Sequence, residues 1–114
     1  MCSSDLRLLE TREGDTQLTL KQLTPVRLIK NKFYKDVEAA ELHGATPDEL
    51  RTILGRARAK RGMFEGDLEE GELEVGQIAA FIQDIKPAGQ VVHDVWNEFL
   101  DAKKKLCEIG RAHV

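Results

Sequence analysis

The sequence predicts a mainly α-helical chain with two short β segments. Three observations carry this reading. A helix start is written out at Thr46-Pro47-Asp48-Glu49, with a capping hydroxyl, a proline at the first helical position and a glutamate three residues after the cap. The last third carries Val91, Val92, Val95, Trp96, Phe99 and Leu106 at helical spacing. Between residues 16 and 29, two short stretches of β-branched and aliphatic residues are bounded by turn formers.

Residues 5–12 read as the last turns of a helix whose beginning is absent, with Leu6, Leu8 and Leu9 as its apolar positions. Gly14-Asp15 is a stop-and-turn signal. Thr16 to Leu20 alternates polar and apolar residues, which predicts a strand with Leu18 and Leu20 on one face. Thr24-Pro25 breaks it, and Val26 to Ile29 forms a second strand. Two strands alone are marginal and need something to pack on.

A helix over residues 31–43 places Phe33, Val37 and Ala40 on a narrow stripe, with Leu42 off it and Gly44 at its end. The capped helix that follows turns Leu50, Ile53, Leu54 and Ala57 inward, runs to about Lys60 and stops at Gly62. Residues 64–73 are acidic and punctuated by glycine, which predicts a loop. Val75, Ile78, Ala79, Phe81, Ile82 and Ile85 suggest a short, well-buried helix. Pro87 restarts the chain as a final helix to about Leu106, where Lys103-Lys104-Lys105 suits the negative end of the helix dipole.

With 114 residues the chain fits one small domain. Its 41% hydrophobic and 32% charged residues suit a helical protein with a modest core and a long solvated surface. The net charge of -3 and a sequence pI of 5.6 argue against nucleic acid as a partner. No apolar run reaches the ~20 residues that a membrane helix needs, and the opening residues lack a signal peptide's regions. A cytoplasmic location is the expectation. Cys2 and Cys107 stand near opposite ends without metal-ligand spacing and read as free thiols, a terminal disulfide being the alternative.

His43, His93 and His113 form no ligand pair, so no zinc site is expected, and no nucleophile elbow or phosphate-cradling loop is present. The five carboxylates of Asp67 to Glu74 lack the ligand alternation of a calcium loop and read as a solvated acidic loop. Arg51, Arg56, Arg58, Lys60 and Arg61 lie beside it in sequence, and pairing with the acidic loop explains them more simply than nucleic-acid binding. Gly76-Gln77 opens the predicted apolar helix. Such a pair lets backbone approach a ligand and offers N–H donors to an anion or carbonyl. A packing glycine and a capping glutamine would look the same.

The two ends, Met1 to Leu6 and Glu108 to Val114, resemble translated sequencing-adapter DNA. That resemblance implies a natural sequence of residues 7–107 and no function for Cys2 or His113. Between the ends, the segments EGDTQLTL (from Glu13), PVRLIKN (from Pro25) and RGMFEGDLEEGELEVGQIA (from Arg61) resemble, in this order, the carboxy-terminal part of nitronate monooxygenases of the 2-nitropropane dioxygenase type. FMN-dependent enoyl-acyl-carrier-protein reductases share a looser version.

The resemblance implies the carboxy-terminal fragment of an FMN-dependent (β/α)8 TIM-barrel enzyme. The parent would oxidise alkyl nitronates with molecular oxygen, its partner being a small-molecule substrate. A complete barrel needs ~250 residues. The family's catalytic histidine and main phosphate loops match no position here, so the chain alone is expected to be inactive and to bind no FMN. Gly76 and Gln77 are implied as cofactor-binding residues, and Met63 and Glu74 as substrate-pocket candidates. The enoyl reductase stays as one alternative. A non-enzymatic helical interaction module is the other.

Overall fold

The computed structural model describes residues 3–111 and, for Ser3 and Arg111, the backbone alone. It contains α1 (Ser3–Glu10), β1 (Thr16–Thr19), β2 (Val26–Ile29), α2 (Lys32–Leu42), α3 (Pro47–Leu54), α4 (Arg58–Met63), a 3-10 turn at Ala79–Phe81 and α5 (Ala88–Arg111). The chain divides into two units, Met1–Asp84 and Ile85–Val114. Cys2 and His113 lie outside the described residues.

The first unit is organised by an antiparallel hairpin and the helices packed on it. β1 pairs with β2 in the register Thr16 to Ile29 and Thr19 to Val26. Leu28 is buried, and with Leu20, Phe33, Tyr34, Val37 and Leu50 it forms the centre of this unit, while Ile29 is buried beside Leu73. Leu18 and Leu20 do not share a face, contrary to the alternation. Leu18 is exposed, while Thr19 is buried and donates its hydroxyl to Glu41 at 3.1 Å. Leu20 lies past the strand at a φ of 54°, and that left-handed step turns its side chain into the core.

α2 starts as expected. Asn31 caps it by accepting from the Tyr34 N–H at 2.9 Å. α3 shows the complete capping box at Thr46 and Glu49, with Pro47 in its first turn. It ends at Leu54, well before Lys60. Gly55 and Ala57 take φ values of 64° and 58°, so the backbone reverses and α4 begins at Arg58. Ala57 is exposed rather than inward, because it sits in this break.

Arg58 closes the break. Its guanidinium donates to the carbonyls of Ile53, Leu54 and Glu70 at 3.0, 2.9 and 2.9 Å and lies 4.7 Å from the centre of the Phe33 ring. It thereby satisfies carbonyls that the end of α3 leaves open. Gly62 does not stop α4; it is buried inside it because the chain at Gly71 and Glu72 passes against it.

The acidic stretch is irregular, as expected, but not wholly solvated. Asp67, Glu65 and Glu70 pair with Arg61, Lys60 and Arg58, whereas Gly71, Glu72 and Leu73 are buried. The amide of Asn31 donates to the carbonyls of Leu68 and Gly71 at 2.9 and 2.8 Å, pinning the stretch to the start of α2. No described buried side-chain nitrogen or oxygen lacks a hydrogen bond.

Residues 75–85 are not a buried helix. The chain instead runs beside β2, then makes the three-residue 3-10 turn, with Ile78 and Phe81 exposed and Ala79 buried. In the second unit α5 continues past Leu106 to Arg111, and Lys86 pairs with Asp94 at 2.9 Å. Cys107 is a free, exposed thiol. No helix among the described residues is long and apolar enough to cross a membrane.

Candidate functional site

The Gly76-Gln77 segment is positioned by β2. The Ile29 N–H donates to the Leu73 carbonyl and the Val75 N–H to the Arg27 carbonyl, both at 3.0 Å. Leu28 and Glu74 form an isolated antiparallel bridge between them. Residues 73–75 thus extend the hairpin by a short third strand-like piece. The Gly76 carbonyl then accepts from the Ala79 N–H at 3.2 Å, which turns the chain into the 3-10 turn. A three-residue turn supplies no row of free N–H donors, so the expected helix-start anion site is not formed here.

Gln77 lines a cavity of about 570 Å³ together with Arg12, Glu13, Gly14, Thr16, Arg27, Ala80 and Phe81. Arg27 is half-buried and donates to the Thr16 hydroxyl at 3.1 Å. Its guanidinium has no carboxylate partner within ion-pair distance among the described residues. Arg12, Arg27, Glu13 and Gln77 all border this space, which therefore carries charged residues of both signs beside an amide residue and suits a polar ligand. Sequence reading missed Arg12, Arg27 and Phe81. The signal for Arg27 was a charge inside the apolar run Val26-Arg27-Leu28-Ile29.

Met63 and Glu74 come together elsewhere. They line a cavity of about 120 Å³ with Ser4, Asp5, Leu8, Ile29, Leu73 and Val75. The Met63 carbonyl accepts from the Ser4 hydroxyl at 3.2 Å. The four candidates therefore fall at two places: Gln77 at the larger cavity, Met63 and Glu74 at the smaller one. Gly76 lies on the exposed backbone that joins them in sequence.

Gly76 has an ordinary φ, and a Cβ built on it would meet nothing within 4 Å. Neither backbone geometry nor internal packing explains a glycine there. Gly62 and Gly71 differ: a Cβ on either would lie under 3 Å from neighbouring atoms.

Burial pushes the Glu72 carboxyl above its ordinary value, helped by the charge of nearby Glu74 and opposed by Arg58. His43 is exposed at the end of α2, with Nδ1 2.6 Å from the Ala39 carbonyl, and His93 is exposed on α5. Neither lines the two cavities. No group of three His, Cys, Asp or Glu side chains able to hold a metal gathers among the described residues.

The fold has relatives among solved structures. The chain is similar to FabK from Thermotoga maritima, with 28% identity and a TM-score of 0.74, over 98% of this chain and 34% of FabK. A point mutant of the same FabK aligns over 98% of this chain and 30% of its own, with 27% identity and a TM-score of 0.63. The chain thus spans about a third of the length of the structures it resembles. No protein-family profile matches it, and no curated protein does.

Proposed function

We propose that residues 7–107 are the carboxy-terminal part of an FMN-dependent (β/α)8-barrel oxidoreductase. The observation that carries this reading is the likeness to FabK, which runs along 98% of the chain at a TM-score of 0.74. FabK is an FMN-dependent barrel enzyme that reduces enoyl-acyl-carrier-protein substrates. A segment of this length is too short to close a barrel, and its helices act as a cap beside the flavin.

Gly76 and Gln77 would hold the flavin side of the pocket. The residues present fit a flat, polar-edged group: Gly76 leaves its backbone open to close approach, and Gln77 supplies an amide toward a cavity bordered by Arg12 and Arg27. The flavin, when bound, supplies the redox chemistry. Met63 and Glu74, at the separate smaller cavity, would border the substrate. This chain orients the substrate and excludes water, and the groups that move protons lie in the rest of the barrel. The chain by itself is inactive and retains no FMN.

For the reaction, the segment resemblance, above all the acidic GDLEEGEL stretch (from Gly66), favours oxidation of an alkyl nitronate with molecular oxygen. The likeness to FabK favours a second reading, reduction of an enoyl thioester. Assays of the complete enzyme with a nitronate and with an enoyl thioester decide between them. Turnover of neither, with flavin bound, would remove both. Flavin copurifying with the 114-residue chain alone would overturn its role as a cap that needs the rest of the barrel.

A further inference from the structure

We propose that the carboxyls of Glu72 and Glu74 share one proton, and that this pair is a latch that holds residues 72–75 on β2 and opens as pH rises. Glu72 differs from its neighbours in the acidic stretch. Glu65, Asp67 and Glu70 each pair with a lysine or arginine. Glu72 forms no ion pair among the described residues, yet it is only 6% exposed. A buried carboxylate without a cation is costly, and a carboxyl so placed keeps its proton instead.

The charged groups around it are committed elsewhere. Arg58 on α4 is the cation whose charge reaches Glu72. Its guanidinium, however, donates to the carbonyls of Ile53, Leu54 and Glu70 and pairs with the Glu70 carboxylate. Lys60 and Arg61 on the same helix pair with Glu65 and Asp67. On β2, Arg27 donates to Thr16 across the hairpin. On α1, Arg7 pairs with Glu10, and Asp5 borders the cavity that Glu74 lines, which adds a carboxyl rather than a cation. Glu74 stands two residues further along the chain, where the bridge to Leu28 holds the backbone extended, so it shares a face with Glu72. The two carboxyls lie within hydrogen-bonding reach. A protonated Glu72 donates its O–H to a Glu74 oxygen, whereas two ionised carboxylates there repel.

The pair sits where the chain is clamped between two elements. The Glu72 N–H donates to the Arg58 carbonyl on α4 at 3.1 Å. On the β2 side, the Ile29 N–H donates to the Leu73 carbonyl and the Val75 N–H to the Arg27 carbonyl, both at 3.0 Å. Burial, then the charge of Glu74, raises the Glu72 carboxyl above its ordinary 4.5. The folded chain therefore holds this proton more tightly than the unfolded one. The associated stability is complete below pH 4.5 and is lost as pH rises through the raised value. Opening of the clamp frees the segment that leads into Gly76 and Gln77. This inference rests on the packing within the chain and is independent of the proposed flavin chemistry.

Carboxyl carbon-13 NMR of the 114-residue chain, titrated from about pH 3 to about pH 9, reads the pair directly. Glu72 should titrate above 4.5, and Glu74→Gln should move that titration down toward 4.5. Hydrogen exchange at the Ile29 and Val75 amides reads the latch. Their protection, corrected for the intrinsic rate, should fall by up to about tenfold per pH unit between 4.5 and the Glu72 titration point. In Glu72→Gln, which keeps the size of the side chain and cannot ionise, that fall should disappear. Titration of Glu72 at or below 4.5 would overturn the proposal, as would a Glu72 titration that ignores Glu74→Gln. So would protection that stays level with pH in the parent chain, or falls equally in Glu72→Gln.

Discussion

Gly71 presses against Gly62 so closely that a Cβ placed on Gly71 would sit 2.3 Å from the Gly62 Cα. The same Cβ would lie 2.3 Å from the Asp67 carbonyl oxygen. Both contacts are with backbone, which cannot swing aside as a side chain can. The acidic stretch therefore folds onto α4 only because two glycines meet there.

Gly71→Ala should destabilise the chain by about 3 kcal/mol or more, since the backbone itself must move. Gly76→Ala should leave stability within about 1 kcal/mol of the parent, because its Cβ meets open space at an ordinary φ. Urea denaturation followed by Trp96 fluorescence or far-ultraviolet circular dichroism measures both. Equal losses at the two positions would contradict the assignment of one glycine to packing and the other to a ligand.

Asn31 ties three pieces of chain together through its cap to Tyr34 and its two bonds to Leu68 and Gly71. Asn31→Ala should cost about 2–4 kcal/mol, from a lost cap and two buried carbonyls left without donors. Asn31→Asp keeps the cap acceptor but replaces the donating amide with a carboxylate facing those carbonyls. It should be no better than alanine, as chemical denaturation will show.

Arg58 should tolerate no replacement by lysine. Its planar fork reaches three carbonyls at once and lies on Phe33, which a single ammonium group cannot reproduce. Arg58→Lys and Arg58→Met should both lower stability by about 2–4 kcal/mol. Full stability in Arg58→Lys would mean that charge alone holds the turn after α3.

Tyr34 gives a spectroscopic reading of the core, since it is the one tyrosine in the sequence. Burial, with a 2.6 Å hydrogen bond to Glu38 and its charge, pushes the phenol from 10.0 up to about 12. The raised value means that the folded state holds the proton more tightly than the unfolded one. The associated stability is therefore complete below pH 10.0 and is lost as pH rises through about 12. Tyrosinate absorbance should titrate near 12 in the native chain and near 10 in urea. Coincident titrations would place Tyr34 outside the core.

The sequence made some of this legible and hid the rest for identifiable reasons. Thr46, Pro47 and Glu49 announced α3 because a capping box is local chemistry, and the structure shows it complete. The break after Leu54 was hidden because a single glycine inside an amphipathic run looks tolerable. Its cause, the left-handed steps at Gly55 and Ala57 secured by Arg58, depends in part on the Glu70 carbonyl, twelve residues further along the chain. Residues 75–85 misled because apolar spacing does not reveal that Val75 bonds to Arg27 across the fold. For the same reason Gln77 was legible as a candidate, but its neighbours Arg12 and Arg27 were not. They reach the same cavity only once the hairpin has formed.

The flavin content of the complete protein proposed to contain residues 7–107 tests the central claim most directly. The account predicts that this protein purifies with stoichiometric FMN and that Gly76→Val lowers its flavin occupancy without lowering its helix content. A folded, complete protein that carries no flavin, and takes up none when FMN is added, would contradict it.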